Sequence, residues 1–132
     1  MVITREIPRS VWRRFLDDIS RLHAGAAARL VVLDAEQGVQ THGDTFRLVG
    51  LTSDGDAAHG SIAAMFGGPS HITHLIDDPV SMHIELSWEA RTANIQVTGG
   101  DGTRTLIQLG PPVLPEPRRG ELVGVATSGA DA

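Results

Sequence analysis

The sequence predicts an α+β domain: one N-terminal amphipathic helix packed on an antiparallel, strongly curved sheet or small, partly open β-barrel. Three observations predict it. Apolar residues recur at the 3.6-residue helical period between Trp12 and Leu22. From Leu30 to Leu109 the apolar period is two, in short runs. Clusters of Gly, Asp and Pro separate those runs at near-regular intervals, which joins the strands as a meander. A single helix can cover one open face or one barrel end of such a sheet, and no more.

The helix is expected at about 9–24. Trp12, Phe15, Leu16, Ile19 and Leu22 share one stripe, which at this spacing is core rather than a ligand platform. Pro8 suits a first turn, Ser10 offers an N-cap, and His23 followed by Gly25 is a stop signal. Arg13–Asp17, Arg14–Asp18 and Asp17–Arg21 lie four apart, the pattern of a solvated face laced with weak ion pairs.

Strands follow, spread over about 29–109. Leu30–Leu33 is apolar on both sides and suits a well-covered position. A polar loop, Asp34 to Asp44, leads to Phe46–Leu51, and Ser53-Asp54-Gly55-Asp56 turns the chain into Ser61–Phe66. Gly67-Gly68-Pro69 precedes His71–Ile76. Asp77-Asp78-Pro79 breaks again before Val80–Trp88, whose Val80, Met82, Ile84, Leu86 and Trp88 alternate cleanly with polar residues. Hairpins at Glu89-Ala90-Arg91 and Gly99-Gly100-Asp101-Gly102 lead to Ala93–Val97 and Thr103–Leu109. Four prolines between 111 and 117 forbid further pairing, so residues 1–117 read as one globular domain and 118–132 as a flexible C-terminal tail.

Composition bounds the function. A chain of 132 residues with 41% hydrophobic and 20% charged residues is long enough to bury a core. It contains no apolar run near the ~18 residues of a membrane span and no N-terminal secretory pattern. Zero cysteines remove disulfides, thiol nucleophiles and thiolate metal sites, and agree with a cytoplasmic location. All eleven basic residues are arginine, so lysine Schiff-base and P-loop chemistry are unavailable, as are tyrosine acid–base roles. Residues 1–29 carry a balance of +3 and residues 30–132 one of −8. That distribution offers no extended basic face for nucleic acid, and the low aromatic content offers no stacking platform. Neither nucleic acid nor a membrane is expected as a partner.

Several local patterns resemble a known group. Arg5-Glu6-Ile7-Pro8 followed by Trp12, the helix ending near His23, and His71-Ile72-Thr73-His74 with Pro79 resemble a family of short bacterial proteins of unknown function. The resemblance covers the chain to about Pro115. It implies a bacterial origin and a shared fold, and it carries no activity to transfer. The chain departs from it at Ala24–Ala28, where a bulkier residue is expected.

The residues richest in chemistry are His71, His74, His83 and Glu85. His71 and His74 stand three apart in a strand and should face opposite sides of the sheet, which argues against a chelating pair. His74 lies between Ile72 and Ile76 and should be a buried, hydrogen-bonded core histidine. His83 shares the polar face of its strand with Ser81 and Glu85. A hairpin across Asp77-Asp78-Pro79 would bring His71 or Thr73 against His83 or Glu85. That face could hold a divalent metal ion with two imidazoles and one carboxylate, and no organic cofactor is expected. The bland reading of Asp77-Asp78-Pro79 is a turn. The glycine-rich Gly99–Gly102 lies between strands rather than before a helix, and no Gly-x-Ser-x-Gly elbow exists.

These features favour a non-enzymatic binding or assembly module, a homo-oligomer through an edge strand. The alternative is a small metal-assisted or acid–base enzyme using His71, His74 and His83. A further alternative is a carrier for an apolar small ligand, if the curved sheet leaves a cavity.

Overall fold

The computed structural model describes residues 1–55, 60–113, 126–127 and 130–131; of residues 42–45, 55 and those beyond 113 only the backbone is described. Strand β1 (Val2–Glu6) leads through a 3₁₀ turn (Arg9–Val11) into helix α1 (Trp12–His23). Seven strands follow: β2 (Ala27–Asp34), β3 (Gly38–Gly55), β4 (Gly60–Gly67), β5 (Ile72–Asp77), β6 (Pro79–Ser87), β7 (Thr92–Gly99) and β8 (Arg104–Leu109). They form one sheet, antiparallel throughout, in the order β1-β6-β7-β8-β2-β3-β4-β5. The terminal strands β1 and β5 do not pair, so the sheet is open, as the sequence predicts.

Period-two alternation sorts each strand's side chains to two faces. Ile62, Ala64 and Phe66 of β4, Met82 and Ile84 of β6, Ala93, Ile95 and Val97 of β7, and Ile107 and Leu109 of β8 all point into the core. The sheet is curved enough that β4 and β6 touch across this core although they are not neighbours in it. Register shifts at Ala28/Leu30, Leu48/Gly50 and Pro79/Ser81 are bulges of the kind that increase local twist and so promote the curl. Helix α1 lays Trp12, Leu16, Ile19 and His23 over the open side, against β3. The Ser20 hydroxyl ties it there, donating to the Leu16 carbonyl at 2.7 Å and accepting from the Leu51 N–H at 2.8 Å.

Several local expectations need correction. Leu22 is 59% exposed, and His23 takes the last place on the buried stripe. Ser10 is not an N-cap; it lies inside the 3₁₀ turn, which Pro8 precedes in an extended conformation, and no side chain caps either segment. The ion pair on the solvated face is Arg21 with Asp18, three apart, in place of the i,i+4 pairs. The polar stretch 34–44 is a hairpin rather than a loop: the Asp34 carboxylate accepts from the Glu36 and Gln37 N–H groups, Gly38 adopts φ 74°, and β3 begins there. Residues 56–59, at the predicted Ser53–Asp56 turn, and most of 118–132 lie outside the described residues.

The correction with the widest consequence concerns β5 and β6. They are consecutive, yet β5 pairs with β4, and β6 pairs with β1 and β7. The edge of β6 that a hairpin would use is taken by the N-terminal segment, in the register Thr4↔Glu85 and Glu6↔His83. The Ile7 N–H extends that ladder to the Met82 carbonyl at 2.8 Å. Asp78, with φ 49°, turns the corner instead, and its carbonyl accepts from the Gly100 N–H at 2.9 Å. The chain thereby passes from one half of the sheet to the other.

Candidate functional site

With the hairpin absent, the four residues singled out by sequence fall in two places. His71 precedes β5 and is exposed. His74 lies within β5, on the same side as Ile72 and Ile76, as its spacing requires, but it is half-buried rather than buried. His83 and Glu85 lie on the outer face of β6. There the His83 Nε2 stands 3.9 Å from a Glu6 carboxylate oxygen, and its Nδ1 is buried without a protein partner. Glu85 accepts a hydrogen bond from the Asn94 amide across the ladder, at 3.2 Å. Among the described residues no three His, Asp or Glu side chains converge as a metal-binding group.

Among the described residues the fully buried histidine is His23. It is 3% exposed, and its Nδ1–H donates to the Gly110 carbonyl at 3.0 Å, which ties the end of α1 to the segment after β8. Burial pushes its pKa below the ordinary histidine value, and the bond to Gly110 opposes that only in part. The signal was present in the sequence: 12, 16, 19 and 23 continue one helical stripe, and the last member is polar.

The strand edge is the other prominent feature. No described strand pairs with the outer side of β5. The two ends of the sheet differ in character. Strand β1 carries Arg5 and Glu6, charges that discourage pairing. Strand β5 reads Ile-Thr-His-Leu-Ile-Asp, without proline, glycine or bulge. Its outward Leu75 is 61% exposed and pairs across to Ala63, while Thr73 pairs to Met65. Met65 lies over Gly50, and Val49 (47% exposed) lies over Gly67. An apolar strip built from Val49, Met65, Ala63 and Leu75 therefore runs up to that edge. The outward place of Leu75 is legible in the sequence, because a strand that turns Ile72 and Ile76 to the core must turn it outward.

No described helix is long and apolar enough to cross a membrane. A curated relative from Aquifex aeolicus, an uncharacterized protein, is 27% identical over 114 residues, covering 86% of this chain and 98% of its own. No solved structure matches the chain. A family model described as a family of unknown function, DUF5335, matches residues 3–117, from β1 to beyond the last strand of the sheet. The chain belongs to this DUF5335 family, as the resemblance carried by its helix and its His-Ile-Thr-His strand implied.

Proposed function

We propose that the protein is a non-enzymatic assembly module that pairs with a second copy of itself through β5. The observation that carries this reading is an edge of β5 that no described strand covers, with the apolar strip beside it. A two-fold axis normal to the sheet keeps outer faces together, so residue i must oppose a residue an even number of positions away. The register centred on His74 sets Thr73 against the partner's Leu75 and Ile72 against the partner's Ile76. It also sets His71 against the partner's Asp77, twice, which makes the edge self-complementary in charge as well as shape. The two sheets would then continue as one, and both bare edges would disappear.

The test is the mass in solution by light scattering behind size exclusion. The wild-type chain should run as a dimer at tens of micromolar, and Leu75→Glu as a monomer with unchanged far-ultraviolet circular dichroism. The substitution places a carboxylate inside the strip and leaves the β4 pairing intact. A wild-type chain that stays monomeric at several hundred micromolar overturns the reading.

A further inference from the structure

A groove of about 240 Å³ lies at the far end of α1, away from the β5 edge. Its walls are Leu22 and His23 of the helix, Leu86 at the end of β6, Trp88 and Arg91 of the β6–β7 turn, and Pro112. Trp88 is 62% exposed and Leu22 59% exposed, so two large apolar side chains stand open to water side by side. Among the described residues no acidic side chain lines the groove. Glu89, the nearest acid along the chain, pairs instead with the terminal ammonium of Met1. Arg91 has no acidic partner among the described residues.

From this combination we infer that the groove binds a small apolar monocarboxylate, with its ring or alkyl body against Trp88 and Leu22 and its carboxylate on Arg91. The volume lies below the roughly 300–1,000 Å³ typical of drug-sized sites, which limits the occupant to a fragment-sized molecule. The apolar walls gain by excluding water from such a body, and the unpaired guanidinium selects the charge at its end. A cationic amphiphile is repelled, and a neutral one loses the charge-assisted hydrogen bonds. His23 adds a polar floor. Its Nδ1 proton is committed to Gly110, which leaves Nε2 as the acceptor of the neutral ring.

Arg91 also holds φ 58°, a backbone region that suits glycine better than any residue bearing a Cβ. Arg91→Gly should therefore fold at least as stably as the wild type while removing the cation. The two functions of that position, holding the turn and holding the charge, can thus be separated.

The probes are 3-phenylpropionate, 3-phenylpropanol and 3-phenylpropylamine, titrated into the full chain and followed by the two tryptophan indole N–H resonances. Trp12 is internally bonded and serves as the reference; Trp88 is the reporter. The acid should shift the Trp88 signal at concentrations about tenfold lower than the alcohol, the size of one charge-assisted pair, and the amine should bind more weakly than both. Arg91→Gly should abolish the difference between acid and alcohol, and Arg91→Lys should keep most of it. Equal binding of all three probes overturns the inference. So does an Arg91→Gly chain that still prefers the acid, or a Trp88 signal that moves with protein concentration alone, which would assign the groove to a second copy.

Discussion

Replacing Trp12 by alanine is expected to cost about 3–5 kcal/mol, the range for removing a fully buried large aromatic side chain. Trp12 is 3% exposed and opens the stripe by which α1 covers the sheet. Its indole N–H donates to the Ile7 carbonyl at 2.8 Å, at the point where β1 ends. The Arg9 guanidinium lies 4.3 Å from the ring centroid and also donates to the Pro79 carbonyl, where β6 begins. One ring thus connects the end of β1, the helix and the start of β6. Alanine leaves a cavity, orphans the Ile7 carbonyl and frees Arg9. Trp12→Phe keeps most of the volume but loses the donor, and should cost about 1–3 kcal/mol, chiefly from that unmade bond. Urea melts of the two variants check this, and equal losses would show that the indole donor, and not the volume, carries the effect.

The second large effect belongs to His23. His23→Ala should destabilise by about 1–3 kcal/mol, through lost packing and an unpaired Gly110 carbonyl. The pH dependence carries the sharper signature. The folded pKa is depressed, so below about 6.5 the unfolded chain takes up a proton that the native ring resists. The stabilisation from the neutral ring is therefore complete above that pH and is lost as pH falls towards the folded value. Stability measured between pH 8 and 5 should decline on the acid side, and His23→Ala should flatten that part of the curve. A wild-type profile rising towards acid would mean that an unseen carboxylate holds the ring charged.

Most of the strands were legible because alternation and turn chemistry are local. Met82, Ile84 and Leu86 against Ser81, His83 and Glu85 fix the faces of β6 without reference to anything else. The Gly99–Gly102 turn names itself through a backbone that needs φ 88° at Gly102 and an Asp101 carboxylate that accepts from the Thr103 N–H. What failed was pairing between segments distant along the chain. Nothing within Asp77-Asp78-Pro79 says that the neighbouring edge of β6 is already occupied by Val2–Glu6. That information lies some eighty positions away, in a segment too short and too exposed to alternate. The expected His71–His83 face depended on that one pairing and disappeared with it. The burial of His74 is illegible for a related reason: spacing gives its side of the strand, but a strand at the sheet's edge buries that side only in part.

The position of β1 also bears on how the chain acquires its shape during synthesis. Val2 pairs with Ser87 and Leu33 with Arg104, so the first strand to leave the ribosome waits for one of the last. The β3-β4-β5 meander needs only near neighbours and can form while the rest is still being made. Until β6 emerges, β1 has no strand to pair with. Closure of the sheet is therefore late: residues 79–87 give β1 its partner, and only β8, pairing with β2, joins that half to the meander.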